Sequence, residues 1–273
     1  MSDAAEDLTH ELEDIAVLLA RGAAEVVRDA RGGRLSVSAK STVTDLVTAA
    51  DREVERWLVA RLAALRPGDA VLGEEGGAHA GTAAGGRVRW LLDPIDGTVN
   101  FVLGVPQYAV SVAAELDGTV VAGAVCNPAS GELYRARRGV GAYLGDERLT
   151  GPRDVPLERA VVGTGFGYDA RQRTRQVAVV AQLLPRIADI RRIGSASLDL
   201  CGVAAGRLDG YFEAGLNVWD YAAGALIAAE AGAVVSGLRG RAPSGRLTAA
   251  AGPSLAPALF AVLEELGADG VNS

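Results

Sequence analysis

The sequence is poor in the residues that bind soft metals or form crosslinks. It has two histidines and two cysteines in 273 residues. Cys126 and Cys201 each lie singly within an apolar run, and His10 and His79 lie in polar stretches. This pattern provides neither a disulfide framework nor a cysteine-histidine metal site. It indicates buried, reduced thiols and a cytoplasmic protein.

The sequence also lacks a long uninterrupted apolar run. Its most apolar stretch, residues 222–235, is interrupted by Glu230 and is rich in alanine and glycine, which excludes a membrane-spanning helix. Residues 1–7 carry acids where a secretory signal carries Lys or Arg, so we expect no leader. Lysine is nearly absent, with Lys40 the only one, and the net charge is −7. We therefore expect a soluble globular protein with neither a nucleic-acid nor a membrane partner.

The hydrophobic pattern predicts a mixed α/β chain. Residues 4–28 repeat apolar side chains at helical spacing, and a capping pattern at residues 48–51 opens a second helix that Pro67 ends. Short strands are predicted at 70–72 and 88–92, followed by an antiparallel meander over 108–137. Beyond about residue 155 strands alternate with helices, which are predicted at 171–184, 195–206, 219–231 and 253–266.

These elements suggest two halves that form one compact unit. Residues 1–150 are predicted to contain the helix pair and an antiparallel sheet half with most of the metal ligands. Residues 151–273 are predicted to form an α/β half with the substrate-contact segments and Asp220.

Three acidic segments lie far apart in the chain, each where an apolar run ends or begins. They are Gly73-Glu74-Glu75-Gly76, Asp93-Pro94-Ile95-Asp96-Gly97-Thr98 and Trp219-Asp220. Two carboxylates ~4 Å apart repel by about 4 kcal/mol at an effective dielectric near 20, so a fold that gathers these acids favours bound cations. An all-oxygen ligand set suits Mg²⁺, Mn²⁺ or Ca²⁺, and we expect Mg²⁺.

The second acidic segment is the most specific of the three. Pro94 fixes its own φ and biases Asp93 toward extended conformations, so the two aspartates can flank a rigid turn. The amides of Gly97 and Thr98 can cradle a phosphate if they begin a helical turn. The alternatives are a plain Asp-Gly turn here, a solvated turn at Glu74, and simple helix capping by Asp220.

Other chemistries find little support in the sequence. It has no Gly-x-Ser-x-Gly elbow and no phosphate-binding loop that ends in Gly-Lys-Ser/Thr. The nearest rival is Gly163-Thr164-Gly165-Phe166-Gly167, which resembles a dinucleotide-binding loop with Asp189 about 20 residues further on. Tyr168 occupies the position where the last Gly or Ala of that loop belongs.

The chain resembles the inositol monophosphatase family over most of its length. The resemblance lies in Lys40-Ser41, Asp45-Leu46-Val47-Thr48-Ala49-Ala50-Asp51, the Gly-Glu-Glu segment, Asp-Pro-Ile-Asp-Gly-Thr-x-Asn-Phe, Arg192-Ile193-Gly194-Ser195-Ala196, and Trp219-Asp220-Tyr221-Ala222-Ala223-Gly224. It implies a layered α-β-α-β-α sandwich of the type shared with fructose bisphosphatases, and a homodimer.

The resemblance also implies site roles. Glu74, Asp93, the carbonyl of Ile95, Asp96 and Asp220 ligate Mg²⁺, with Asp51 behind them as a supporting catalytic residue or as ligand of an additional, weaker ion. Glu74 and Thr98 orient and deprotonate the attacking water. Substrate contacts are expected at Asp96, Gly97, Thr98, Arg191, Gly194, Ser195, Ala196, Glu213 and Asp220. Lys40 lies in a segment expected to close over the site.

The expected activity is Mg²⁺-dependent hydrolysis of myo-inositol monophosphate to inositol and phosphate. A phosphate monoester is a dianion that repels both hydroxide and carboxylates, so cations must neutralise it. Alternative substrates are fructose 1,6-bisphosphate, histidinol phosphate and 3′-phosphoadenosine 5′-phosphate. A regulatory or binding protein on the same scaffold is the alternative from another class.

Overall fold

A computed structural model describes residues 3–32, 37–39, 46–79 and 87–270. Lys40, together with much of the segment around it, lies outside the described residues. Within the described chain there are seven α-helices: α1 (Asp3–Arg31), α2 (Ala49–Leu65), α3 (Thr98–Leu103), α4 (Ala170–Leu183), α5 (Ala196–Ala204), α6 (Val218–Glu230) and α7 (Ala256–Glu265).

The strands of the described chain, in sequence order, are β1 (Val37–Ala39), β2 (Leu46–Thr48), β3 (Ala70–Gly73), β4 (Gly77–His79), β5 (Val88–Asp96), β6 (Ala109–Leu116), β7 (Thr119–Cys126), β8 (Leu133–Arg137), β9 (Gly141–Leu144), β10 (Glu147–Arg148), β11 (Val161–Thr164), β12 (Asp189–Arg191), β13 (Gly210–Glu213), β14 (Val234–Ser236) and β15 (Thr248–Ala251). No helix within the described ranges is long and apolar enough to cross a membrane.

Two mixed sheets organise the fold. The first has eight strands in the order β10-β9-β8-β7-β6-β5-β3-β4, and the second has five in the order β12-β11-β13-β15-β14. A separate two-stranded ribbon pairs β1 with β2. In the second sheet, β11 runs parallel to both β12 and β13, as expected where helices connect the strands.

Helices cover both faces of both sheets. Helices α1 and α2 share an apolar core with the outer face of the first sheet. Helices α5 and α6 lie between the sheets, with Cys201 and Ile227 packed toward the first and Leu200 and Ala228 toward the second. Helices α4 and α7 cover the far face of the second sheet through Leu183 and Leu259. The order of layers is α-β-α-β-α, which confirms the predicted sandwich.

Two sequence-based expectations about the first sheet were wrong. It is not antiparallel throughout, because β3 runs parallel to β5. The unpredicted strand β4 pairs with the opposite edge of β3, so that β3 lies between β4 and β5 in the sheet. Strand β5 also continues to Asp96 instead of ending at Leu92. A register shift between Asp93 and Asp96 accommodates Pro94, which lacks the N–H that a regular ladder requires.

Candidate active site

The parallel pairing of β3 and β5 places two acidic segments side by side. Gly73 is in register with Leu92, and the amide of Glu74 donates a hydrogen bond to the carbonyl of Leu92 at 3.3 Å. The next residue of each strand is an acid. Glu74 and Asp93 therefore leave the same edge of the sheet together.

The end of β5 is fixed to helix α5 through Asp96. Its Oδ2 accepts hydrogen bonds from Ser195 Oγ at 2.6 Å, Ser197 Oγ at 2.5 Å and the Ser197 amide at 2.7 Å, while Oδ1 accepts one from the Ala196 amide at 3.2 Å. Gly97 follows with φ of 94°, a left-handed conformation, and its added Cβ would lie 3.0 Å from two carbonyl oxygens. Only glycine suits both conditions.

Thr98 is the first residue of helix α3, so the amides of Gly97 and Thr98 lie at the start of a helical turn. Its hydroxyl lies 3.1 Å from Asp51 Oδ1 and 3.1 Å from the carbonyl of Ile95. Asp51 is fully buried in the first turn of α2. A proton on Thr98 Oγ1 therefore has a buried carboxylate as one of its two acceptors.

Asp220 reaches the same place from the first turn of α6. It forms a capping box with Asn217, whose amide donates to Asp220 Oδ2 at 2.7 Å. The capping alternative is thus correct as a description of its local hydrogen bonds. Trp219 precedes it, and its carbonyl accepts a hydrogen bond from Ser111 Oγ of β6 at 3.3 Å.

These segments surround one cavity of about 480 Å³. Most of the predicted site residues line it, namely Glu74, Asp93, Ile95, Asp96, Gly97, Thr98, Gly194, Ala196, Glu213 and Asp220. Asp51 and Ser195 lie just behind the lining, in contact with Thr98 and Asp96 respectively.

The acids of the cavity shift one another's titration. Burial, followed by the charges of Glu74, Asp96 and Asp220, raises the pKa of Asp93 well above its usual range. Burial and the charge of Asp96 do the same to the pKa of Asp220. Burial also raises the pKa of Asp96, against the opposing effect of its serine donors. Negative charge at this point is therefore costly for the protein alone.

The donor chemistry of the cavity fits a hard cation. Several carboxylates line the cavity, and neither histidine nor cysteine belongs to its lining. Carboxylate oxygens are the ligands that hard cations prefer. Within the described ranges, however, no three acid, histidine or cysteine side chains already surround a common point at metal-binding distance. Asp96 and Asp220 instead direct oxygens at protein donors. Ligation of one cation by the group therefore requires some of these carboxylates to turn.

Another acid, Glu213 at the end of β13, also lines the cavity. Its Oε2 accepts a hydrogen bond from Tyr211 Oη at 2.8 Å, and burial raises its pKa to about 7. The structure places Arg191 elsewhere, because it is exposed and its Nη1 donates to Asp189 Oδ2 at 2.5 Å. The neighbouring Arg192 lines the cavity instead. Arg191 is the last residue of β12 and Arg192 follows the strand, and the sequence does not show which of the two side chains lines the cavity.

The glycine-rich segment that resembled a dinucleotide loop also lines the cavity. A Cβ on Gly165 would lie 2.0 Å from Glu213 Oε2, and one on Gly167 would lie 2.2 Å from Gln172 Oε1. These glycines thus leave room for Glu213 and Gln172. The next helix, α4, begins only at Ala170, with Asp169 as its N-cap.

Sequence reasoning missed one further acid near the site. Asp199 of α5 is buried, and neither of its carboxylate oxygens has a hydrogen-bond partner. Burial, the charge of Glu213 and the charge of Asp96 raise its pKa well above the usual range. In the sequence it reads as an ordinary first-turn helix acid.

Comparison with known proteins gives a consistent picture. The model of the inositol monophosphatase family matches residues 8–268. The chain is 50% identical over 272 residues to "Inositol-1-monophosphatase SuhB" of Mycobacterium tuberculosis, covering 93% of each protein. It is 39% identical over 233 residues to "Nus factor SuhB" of Salmonella typhimurium, covering 85% of this chain and 86% of that one.

A solved structure has the same fold. The crystal structure of the extragenic suppressor protein suhB from Bartonella henselae superimposes with a TM-score of 0.86 at 34% sequence identity. The match covers 92% of this chain and 98% of that one.

Proposed function

The chain belongs to the inositol monophosphatase family and is a phosphoric monoester hydrolase, and on this basis we propose that it hydrolyses myo-inositol monophosphate with Mg²⁺ as cofactor. The observation that carries the proposal is the convergence of Glu74, Asp93, Asp96 and Asp220 on one cavity beside the amides that begin α3. Such a cavity combines oxygen ligands for cations with N–H donors for a phosphate.

In the proposed mechanism, Glu74, Asp93, the carbonyl of Ile95, Asp96 and Asp220 hold the Mg²⁺ ions. When bound, the cofactor supplies positive charge for the phosphate dianion and the leaving alkoxide, and acidifies a water molecule. The protein's own contribution is positioning and proton transfer.

Thr98 and Glu74 orient the attacking water. Thr98 Oγ1 can donate to Asp51 Oδ1 and still accept a hydrogen bond from the attacking water. The Glu74 carboxylate accepts a hydrogen bond from the second O–H of the same water. The amides of Gly97 and Thr98 hold the phosphate. They lie at the start of α3, where backbone N–H groups have no intrahelical acceptor.

The inositol ring is proposed to contact Glu213 and the Gly194-Ser195-Ala196 segment. Glu213 offers an acceptor to ring hydroxyls, and Arg192 lies close enough to influence the pKa of Glu213. A buried acceptor that is left unpaired by a substrate lacking the hydroxyl disfavours that substrate. This is the expected basis of selectivity for a polyol over other alcohols.

A substrate panel with phosphate release as the readout tests the proposal. Myo-inositol 1-phosphate, fructose 1,6-bisphosphate, histidinol phosphate and 3′-phosphoadenosine 5′-phosphate are assayed with Mg²⁺ and with EDTA. We expect the highest kcat/KM for the inositol ester and loss of activity in EDTA. A higher kcat/KM for another ester would reassign the substrate, and Mg²⁺-independent hydrolysis would refute the metal mechanism.

The name of the Salmonella typhimurium relative, a Nus factor, favours one second candidate, a regulatory role on the same scaffold. The two roles are separable with Asp93→Asn. A regulatory function that survives in this variant after hydrolysis is lost does not depend on hydrolysis.

We also propose a cytoplasmic homodimer. Cys126 and Cys201 are both buried free thiols, which suits a reducing compartment. The dimer is supported by the family resemblance, and light scattering after size-exclusion chromatography measures it.

A further inference from the structure

Helix α2 presents two buried acids to the site, one helical turn apart. Asp51 is 0% exposed and Glu55 is 4% exposed. Residues four apart lie on the same face of a helix, so both acids point toward the first sheet. Asp51 contacts Thr98, as described above. The role of Glu55 is not explained by that contact.

Glu55 binds the turn that carries Glu74. Its Oε2 accepts a hydrogen bond from the Glu75 amide at 2.8 Å, and its Oε1 accepts one from the Gly76 amide at 2.5 Å. The Glu74 amide itself donates to Leu92 of β5. Three successive amides after β3 are therefore held, one by the sheet and two by a single carboxylate.

Gly73 shows how closely this carboxylate fits. The three atoms nearest to an added Cβ on Gly73 are Cδ, Oε2 and Oε1 of Glu55, at 2.6, 2.6 and 2.9 Å. The backbone of Gly73 is not left-handed, so an L-residue is permitted by conformation. Glycine is required here for space, and the space is occupied by Glu55.

We propose that Glu55 is a positioning residue for the reaction, which orients the Glu74 carboxylate by holding the backbone on its C-terminal side. A carboxylate is suited to this task because it offers one acceptor oxygen to each amide. Glutamine offers a single acceptor, and its NH₂ group would face the second N–H. The link to catalysis rests on the proposed function, whereas the link to cation binding does not require turnover.

The test compares Glu55→Gln with Glu53→Gln, the same change at an exposed position of α2. Mg²⁺ affinity is measured by calorimetry without substrate, and kcat and KM are measured by phosphate release. Amide exchange over residues 73–77 and the thermal midpoint complete the measurements. Partners that orient a metal ligand typically change affinity or activity about 10–100-fold when mutated.

We expect Glu55→Gln to weaken Mg²⁺ binding and lower kcat by at least about tenfold, with KM changed less than about twofold. Amide exchange of Glu75 and Gly76 should accelerate. Glu53→Gln should match the wild type in every measurement. A Glu55→Gln protein with a lower thermal midpoint but wild-type Mg²⁺ affinity and kcat would overturn the proposal, because Glu55 would then serve stability alone.

Gly73→Ala tests the same contact from its other side and leaves Glu55 intact. We expect it to weaken Mg²⁺ binding as Glu55→Gln does, and to add little in a Glu55→Ala background, where the clash is gone. Equal effects of Gly73→Ala in both backgrounds would contradict the proposal. If Glu55→Gln does not fold, Gly73→Ala with Glu55 intact decides, and wild-type Mg²⁺ affinity and kcat in folded Gly73→Ala protein would overturn the proposal.

The outcomes also separate this proposal from the proposed function. If the wild type binds Mg²⁺ but hydrolyses no ester, and Glu55→Gln weakens that binding, the proposed function fails while the role of Glu55 stands. If the wild type does not bind Mg²⁺, both fail.

Discussion

Asp93→Asn is expected to stabilise the metal-free protein while it abolishes turnover. Asp93 is 2% exposed, and burial together with three neighbouring carboxylates raises its pKa well above the usual range. The Ile95 amide donates to Asp93 Oδ1 at 3.1 Å, and asparagine keeps that acceptor. The substitution therefore removes the charge and preserves the local hydrogen bond.

The size of the effect follows from the proton balance. Each unit by which the folded protein raises the pKa of Asp93 lowers the free energy of unfolding at neutral pH by about 1.4 kcal/mol. If Asp93 stays charged instead, the repulsion sets the scale, since two carboxylates about 4–6 Å apart repel by about 3–4 kcal/mol at an effective dielectric of 20. We expect a gain of about 2–4 kcal/mol, or a rise of about 5–10 °C in the thermal midpoint.

The sign of the pH dependence is fixed by the direction of the pKa shift. Above pH 3.8 the unfolded chain releases the Asp93 proton while the folded protein retains it, so the free energy of unfolding falls as pH rises toward the raised pKa. The wild type in EDTA should therefore lose stability as the pH rises above about 4. Asp93→Asn should lose less.

Thermal unfolding by circular dichroism in EDTA and in Mg²⁺ measures these differences, with phosphate release as the activity assay. Asp146→Asn, at an exposed turn position, is the matched control and should behave as the wild type does. Mg²⁺ should stabilise the wild type more than Asp93→Asn, and turnover should fall at least about 100-fold in the variant. If Asp93→Asn were less stable than the wild type in EDTA, the repulsion argument would be refuted.

Three further predictions concern the remaining walls of the cavity. Thr98→Ala should lower kcat at least about 100-fold in phosphate-release assays, whereas Thr98→Ser should retain most activity because the hydroxyl remains; equal loss in both would exclude the hydroxyl role. Glu213→Gln should raise KM for myo-inositol 1-phosphate about tenfold with little change in kcat. Gly165→Ala should do the same, because its Cβ would displace the Glu213 side chain. A loss confined to kcat would contradict a substrate contact at Glu213. Arg192→Ala should raise KM and Arg191→Ala should not, since only the former lines the cavity; the reverse result would restore the sequence-based assignment.

The sequence predicted the parts of the site that local rules control. The turn that ends in Gly97, directly before α3, follows from the conformational freedom of glycine, which acts over a few residues. The first turn of α2, with Asp51 in it, follows from a capping pattern in the same way. These rules need no knowledge of the rest of the fold.

The parts that it did not predict depend on contacts between distant residues. The parallel pairing of β3 with β5 joins two separate segments of the chain, and it is this pairing that places Glu74 beside Asp93. Glu55 is one of several acids on α2, and its burial against the Glu75 and Gly76 amides depends on where the sheet lies. Arg192 lines the cavity and its neighbour Arg191 does not, and this difference depends on how the end of β12 lies relative to the cavity.

The acids of the cavity also differ in how fully hydrogen bonds from the protein stabilise their negative charge. This difference indicates which carboxylate a bound cation stabilises most. Asp96 accepts hydrogen bonds from Ser195, Ser197 and Ala196, and these bonds oppose the rise of its pKa. Asp93, in contrast, accepts one such bond, from the Ile95 amide, and burial and the other carboxylates raise its pKa well above the usual range. A cation that enters the cavity should therefore gain most from Asp93, since charge that the protein has already neutralised attracts it less. On this reasoning, substitution of Asp93 should reduce cation affinity more than substitution of Asp96 by the same amide, and calorimetric titration of Asp93→Asn and Asp96→Asn with Mg²⁺ compares them directly.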